Sequence, residues 1–451
     1  MILFIHRKDL RAHDLAAFEL IADKQQTSLH IFIADPTLLT PERRNEHSGI
    51  HFLSQVRSLQ GLYTQAGRRL HILYGDPEQI VDAILGQYPV REMMLGRDYT
   101  PYAVARDHKL KQTARRHGVM VTSLHDQTLI DLEDFHAFAG RKEPYKVFTP
   151  FYRKWKEYLE LFFRPPGTAS VSDLHTADLQ PEFLDRFRLP FLLEDYPAAE
   201  EPSIQLADFI EDDLSNYERE RDRYGTEGTS RISGALNTGA LSIRAVYQQV
   251  MGIPEGEAWR RQLAWRDFYL YQSVFDPDFY HYEQRYDLSL LNDKLFSAWT
   301  QAETGIPVID AAMTQLNETG QLPNRLRMVT AMFLTKNLLC PFPLGEAYFR
   351  LKLADYDNAP NRGGWLWSSS LGFDAAPYFR IMNPVNQSEK FDPMGSYIRR
   401  WLPQLADVEG REIHRPSPHA IVDLKASRER AIGVYKEILR SRTVGGQKEN
   451  I

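Results

Sequence analysis

The chain has 451 residues, and at about 150 residues per domain that predicts two or three folding units. Hydrophobic residues make up 43% and charged residues 25%, with no low-complexity tract, which excludes a disordered or fibrous protein. The net charge of −6 argues against indiscriminate nucleic-acid binding but not against a local basic face, and the single cysteine, Cys340, excludes an internal disulfide or an iron–sulfur cluster held by this chain's own thiolates.

Residues 1–130 alternate short apolar runs, "MILFIH", "SLHIFIAD", "RLHILYG", "REMMLGRD" and "GVMVTSLHD", with helix-like segments. That rhythm predicts a Rossmann-like α/β domain with a five-stranded parallel sheet. None of its strand ends carries G-x-G-x-x-G, so a nucleotide cofactor is expected to be held elsewhere. The N-terminus enters the first run at once without the features of a signal peptide, and no apolar run approaches the ~20 residues of a membrane span. A cytoplasmic location with no membrane segment is expected. Residues 131–205 loosen into "RPPGTASVSD" and "YPAAEEPS", the composition of an interdomain linker. From 206 to 451 apolar residues recur at helical spacing, as in "RQLAWRDFYLYQSVF" and "RMVTAMFLTKNLL", which predicts an all-α C-terminal domain. There is no internal repeat, and no metal site is expected.

Four stretches carry chemistry. In "RQLAWRDFYLY", Gln262, Trp265, Arg266 and Tyr269 fall at i, i+3, i+4 and i+7, on one helix face. Such a face is either a buried aromatic stripe with a polar rim or a surface that stacks on a planar ligand such as a nucleobase. In "NRLRM", Asn324 and Met328 lie one turn apart, with Arg325 and Arg327 between them. Arginine suits bidentate phosphate binding and asparagine suits base edges, although Asn324 could equally cap a helix. "GTSRIS" sets Thr229, Ser230, Arg231 and Ser233 beside a glycine, the material either of a phosphate cradle or of an ordinary N-cap.

The fourth stretch, "DYDNAPNRGGWLW" at 355–367, places two aspartates, two asparagines, a Gly-Gly pair and two tryptophans in thirteen residues. Carboxylates accept hydrogen bonds from ring N–H or ribose hydroxyl groups, and paired glycines let the backbone approach a flat ring. The combination fits a polar ring held beside indoles.

Together with "HRKDLRAHD" near the start, "PYKVFTPFYRKW" at 144–155, "TGIPVIDAAM" at 304–313 and "DYDNAPNRGGWLWSSSLGFDAAPYFRIMNP" at 355–384, these motifs resemble, in order, the photolyase/cryptochrome flavoprotein family. The likeness is greatest to class I cyclobutane pyrimidine dimer photolyases. It implies an N-terminal antenna domain, a helical domain that holds FAD and contacts DNA, and a monomer acting on UV-damaged DNA. By the resemblance, Tyr217, Thr229, Ser230, Arg231, Ile232 and Ser233 wrap the FAD phosphates and ribitol. Asp355, Tyr356 and Asp357 flank the isoalloxazine, with Arg327 pairing Asp355. Asn361 faces flavin N5, where an amide can accept the proton of the one-electron-reduced ring. Trp265 stacks on the flipped-out dimer, Gln262 hydrogen-bonds it, and Asn324, Arg325, Met328 and Trp367 line the same pocket, with Arg266 and Tyr269 also on the DNA side. The implied reaction is electron transfer from excited FADH⁻ to the dimer, ring splitting and return of the electron.

The sequence departs from the family at several of these places. Gln262 stands where class I enzymes carry glutamate; it keeps the reach but cannot share a proton with a radical anion. Asn324 stands where (6-4) photolyases have a catalytic histidine, which favours the cyclobutane dimer. Gln321 replaces a pocket tryptophan. Trp365 matches the flavin-proximal member of the family's tryptophan chain, but Phe342 and Ser289 occupy the middle and outer places, so photoreduction is expected to be slow or to run through Tyr348 or Trp299. Tyr102 and Ala103 replace the asparagine and glutamate of folate-binding relatives, which disfavours the folate mode and leaves a second antenna chromophore of unknown identity (a deazaflavin or a second flavin) or no antenna as the alternatives. The alternatives to dimer repair are a cryptochrome-like photoreceptor and a (6-4) photolyase.

Overall fold

A computed structural model describes residues 1–372, 375–441, 443–444 and 447–448, so Phe373 and Asp374 of the 355–384 stretch lie outside the described residues. The chain forms two compact units. The first comprises Met1–Lys142, Tyr152–Ser215 and Ser230–Asp267, and the second Glu143–Phe151, Asn216–Thr229 and Phe268–Ile451.

In the first unit, strands β1 (Ile2–His6), β2 (Ser28–Ala34), β3 (His71–Tyr74), β4 (Glu92–Gly96) and β5 (Met120–Leu124) form one parallel sheet in the order β3-β2-β1-β4-β5. All five arise from the apolar runs of the sequence. Alternate side chains divide between two cores, as a sheet covered on both faces requires. Ile2, Phe4, Phe32 and Ala34 pack with Phe18, Leu53 and Leu59, while Leu3, Ile5, Leu29 and Ile31 pack with Ile80, Val81, Ile84 and Leu110. Local chemistry sets the helix starts between strands: Asp76 and Thr100 accept the amides of Gln79 and Ala103, each with a proline in the first turn. Residues 131–205 carry helices Leu132–Ala139, Phe148–Phe162, Pro181–Arg186 and Pro202–Asp212.

The second unit is helical, with Pro307–Thr319, Asn324–Met332, Phe342–Lys352, Asn358–Ser369 and Leu424–Arg440 among its elements. Gly345 permits a close approach: a Cβ there would sit 2.1 Å from the Trp365 indole, so the Phe342–Lys352 and Asn358–Ser369 helices meet only because this side chain is absent. At the end of the Asn358–Ser369 helix, the buried Lys336 amine donates to Ser369 O at 3.0 Å and Ser370 Oγ at 2.9 Å and lies over the Tyr435 ring. A cation at a helix C-terminus is favourable, but burial pushes the amine well below its ordinary pKa. No helix among the described residues is long and apolar enough to cross a membrane.

One feature of the first unit has no signature in the apolar pattern. A polar chain, Asp9–His6–Tyr63–His30–Ser28, runs through the core on the Phe4 face. His6 Nδ1 faces the Asp9 carbonyl at 3.0 Å and Asp9 Oδ1 at 3.1 Å, both acceptors, so this nitrogen carries the proton. One consistent set of proton positions then follows from the network. Tyr63 O–H donates to His6 Nε2 (2.6 Å), His30 Nδ1–H to the Tyr63 oxygen (2.7 Å) and Ser28 O–H to His30 Nε2 (2.7 Å). Burial holds His30 well below its ordinary pKa and keeps it neutral. Tyr63→Phe leaves both imidazoles with a buried unpaired nitrogen and is expected to destabilise the protein by about 1–3 kcal/mol, measured by urea unfolding. A variant as stable as wild type would show that the chain is dispensable for folding.

Candidate functional site

The "DYDNAPNRGGWLW" stretch forms a polar floor in the second unit. Arg327 donates from one nitrogen to both Asp355 oxygens at 2.9 Å and from Nε to Leu322 O at 2.7 Å, which fixes the carboxylate ahead of the Asn358–Ser369 helix. Asp357 is the buried N-cap residue of that helix, yet its carboxylate makes no capping bond to it. Asn361 donates its Nδ2 to Glu346 O at 3.3 Å, so its Oδ1 is the end kept for an outside donor. Tyr356 accepts from Asn358 Nδ2 at 3.0 Å. Of the two glycines, Gly363 approaches a ring of the protein itself, since a Cβ there would lie 2.1 Å from Tyr269, while Gly364 faces open space.

On the neighbouring Asn324–Met332 helix, Asn324 is exposed and its Nδ2 lies 3.7 Å from Met328 Sδ. Arg325 pairs with Asp222 and stacks on Phe391 at 4.7 Å. Trp367 is half-buried in the Asn358–Ser369 helix. Tyr217 is buried and Thr229 exposed.

The Glu257–Phe275 helix begins in the first unit and contains the boundary, between Asp267 and Phe268. Gln262, Trp265, Arg266 and Tyr269 are all half-buried, whereas Leu263, Ala264, Asp267 and Phe268 are buried. The predicted face is therefore a partly exposed stripe and not core. Gln262 Nε2 donates to Ala258 O at 3.1 Å, and Arg266 donates to Gln127 O at 2.5 Å. In the same unit Ser230 accepts the Trp259 indole N–H at 3.2 Å, Arg231 adopts a positive φ of 52°, Ile232 is buried and Ser233 is exposed.

Sequence reasoning passes over Arg362. Its buried guanidinium donates to Glu346 at 2.7 Å, to Glu283 and, through Nε, to Phe279 O at 3.1 Å, and it lies over the Phe342 ring at 4.9 Å. Glu346 is 16 residues away and Glu283 is 79, so no local spacing could reveal the cluster. Burial pushes the Glu346 carboxyl up, against the opposing charge of Arg362. Among the described residues no His, Cys, Asp and Glu side chains form a cluster that could hold a metal.

Two family models match the chain: DNA photolyase over residues 2–169, and the FAD binding domain of DNA photolyase over residues 259–437. Deoxyribodipyrimidine photo-lyases of Synechococcus sp. and Escherichia coli are each 33% identical, covering 91% and 95% of this chain and 90% and 97% of the relative. The chain belongs to the DNA photolyase family. Among solved structures, a bacterial class III photolyase from Agrobacterium tumefaciens superposes with a TM-score of 0.82 at 28% identity, covering 97% of each chain. A Sulfolobus tokodaii photolyase with two FAD molecules gives 0.80 at 28%, and a Synechocystis cryptochrome gives 0.81 at 25%, each covering 96% of this chain and 99% of the other. The polar floor fits the ring of a flavin: a fixed carboxylate at Asp355, an amide acceptor at Asn361 and open space at Gly364.

Asp267, between Arg266 and Phe268, anchors the striped helix in the first unit. Its Oδ2 accepts the Trp155 indole N–H at 2.9 Å and the Leu129 amide at 3.2 Å, while its Oδ1 is buried without a hydrogen bond. Burial pushes the carboxyl up to about 7, against the hydrogen bond from Trp155. Unfolded, the group loses its proton near pH 4, so the stability carried by its protonated form is lost as the pH rises from about 4 to about 7. Asp267→Asn keeps the acceptor and removes the titration. The variant is expected to gain on wild type across that window by up to about 1.4 kcal/mol per pH unit, read from urea unfolding at several pH values. A difference that does not vary with pH would contradict the buried neutral carboxyl.

Proposed function

We propose that the protein is a light-driven, FAD-dependent photolyase that repairs cyclobutane pyrimidine dimers in UV-damaged DNA as a monomer. The observation that supports this most is the polar floor of the second unit: Arg327 fixes Asp355, and Asn361 keeps an acceptor in a helix whose neighbouring Gly364 faces open space. The identity to two deoxyribodipyrimidine photo-lyases over more than nine-tenths of the chain points the same way. FAD, when bound, supplies a photoexcitable electron donor. Asp355, Tyr356 and Asp357 would orient the flavin ring, Arg327 holds the Asp355 carboxylate in place, and Asn361 Oδ1 would accept a hydrogen bond from a protonated N5. Tyr217, Thr229, Ser230, Arg231, Ile232 and Ser233 bind the rest of the cofactor through hydroxyl and backbone donors.

We assign lesion recognition to Trp265, by stacking, and to Gln262, by a hydrogen bond, with Arg266 and Tyr269 on the same helix face. Asn324, Arg325, Met328 and Trp367 are assigned to the same role. The partial exposure of the stripe supports this, because it leaves these side chains in reach of a ligand. Class I membership fits less directly, since Gln262 departs from that class. For a second chromophore, the support is that Arg7 and Arg106, near the carboxyl ends of β1 and β4, each keep a buried NH2 without a hydrogen bond. Tyr102 donates to Asp35 at the carboxyl end of β2, so its hydroxyl is engaged within the protein, in keeping with a disfavoured folate mode.

Blue-light treatment of the reduced protein with oligonucleotides carrying either one cyclobutane thymine dimer or one (6-4) product tests the assignment. Loss of the cyclobutane lesion alone is expected. Repair of the (6-4) product would overturn the substrate, and repair of neither with a normal flavin spectrum would favour a photoreceptor. Separately, Trp265→Ala is expected to cost about 1–3 kcal/mol of binding to dimer-containing DNA, measured by titration in the dark. Unchanged affinity would remove Trp265 from the lesion site.

A further inference from the structure

We propose that the loop after β1, residues 7–12, positions the Ser230–Ser233 segment for the cofactor, with Lys8 and Arg11 as its positioning residues. The proposal rests on the reading above of that segment as a binder of FAD. It gives the start of the chain a part in cofactor retention without any contact to the flavin.

The segment is held in a conformation it would not keep by itself. Arg231 adopts a left-handed φ of 52°, which a residue other than glycine keeps only where its surroundings impose it. Before it, Ser230 accepts the Trp259 indole N–H at 3.2 Å. After it, Ile232 is buried and the chain enters the helix Ser233–Thr238, which ends at Gly239. That helix has six residues and no side-chain cap at its start, so it is too short to be stable alone. Its place is fixed by what it packs against.

The β1 loop supplies that restraint, entirely within the first unit. Lys8 Nζ donates to Asn237 Oδ1 at 3.1 Å, the Leu10 amide to Thr238 O at 3.1 Å, and the buried Arg11 guanidinium to Gly239 O at 3.0 Å. Three successive residues at the end of the helix therefore each accept from the loop. The backbones also touch at Gly239, where φ is 70° and a Cβ would lie 2.1 Å from Lys8 O. At the other end, Gly234 lies against His51, with a Cβ there only 2.5 Å from Nε2.

The loop is itself rigid. Asp9 Oδ1 accepts the Arg7 amide at 2.7 Å and faces His6 Nδ1 at 3.1 Å, so the buried polar chain through Tyr63 ends in this turn. Arg11 also donates to Asp14 O at 2.6 Å and to Asp126 Oδ2 at 2.5 Å, while Arg244 donates to Asp14 Oδ1 at 2.6 Å. Two guanidinium groups face two carboxylates. The cluster is electrically balanced, so it serves the cofactor through the position of the segment and not through net charge.

Release of FAD from the loaded full-length protein on dilution, followed by the rise of free-flavin fluorescence, tests the proposal. Lys8→Met removes one donor at a half-buried site, Arg11→Lys removes the fork that spans three acceptors, and Gly239→Ala wedges the two backbones apart. Each is expected to speed release by about tenfold. Ile84→Val, in the core on the opposite face of the sheet, lowers stability without touching the loop and is expected to release FAD at the wild-type rate. Urea unfolding places all four variants on one stability scale. Wild-type release from the three loop variants, or an equal acceleration in Ile84→Val, would overturn the positioning role and leave the FAD reading intact. Wild-type protein that takes up no flavin would overturn the FAD reading itself, and this proposal with it.

Discussion

The Arg362 guanidinium lies buried between Glu346 and Glu283, carboxylates from two different segments, and it fixes the helix that carries the polar floor of the second unit. A buried charge of this kind holds its neighbours by direction as well as by strength. Leaving one member without its partner costs about 3–5 kcal/mol, whereas a matched apolar set would hold a fold as firmly. The charged set therefore fits a demand for position. Asn361 precedes Arg362 in the chain and donates to the Glu346 carbonyl, so the same two helices that share the ion pair also set the Asn361 amide.

Both ends of that helix are restrained as well. Before its first turn, Arg327 holds Asp355 through both oxygens, and after its last turn Lys336 donates to Ser369 and Ser370. Between them, Gly345 gives the Trp365 indole the room it needs against the Phe342–Lys352 helix. A flavin enzyme that works by electron transfer gains from such rigidity, because preorganised dipoles need not rearrange when charge moves.

Much of this was legible in the sequence. The five strands of the first unit follow from five short apolar runs, since a parallel sheet covered on both faces needs little else. The half-exposed stripe of Gln262, Trp265, Arg266 and Tyr269 follows from helical spacing, and the Arg327–Asp355 pair from the family motif. What stayed hidden depends on contacts between residues far apart in the chain. Tyr63 reads as an ordinary core aromatic until His6 and His30 are found on either side of its hydroxyl. Arg362 reads as a solvated charge until Glu346 and Glu283 meet it. Gly363 was expected to make room for a ligand ring and instead makes room for Tyr269, which spacing alone could not distinguish.

The central claim is that the Asp355–Trp367 stretch is the floor of a flavin site. Determining the structure of the protein with FAD bound tests it most directly. The account predicts the isoalloxazine lying against Asp355 and Asp357, with N5 within hydrogen-bond reach of Asn361 Oδ1. A flavin ring bound elsewhere, with these side chains arranged as they are here and N5 out of reach of Asn361, would contradict it.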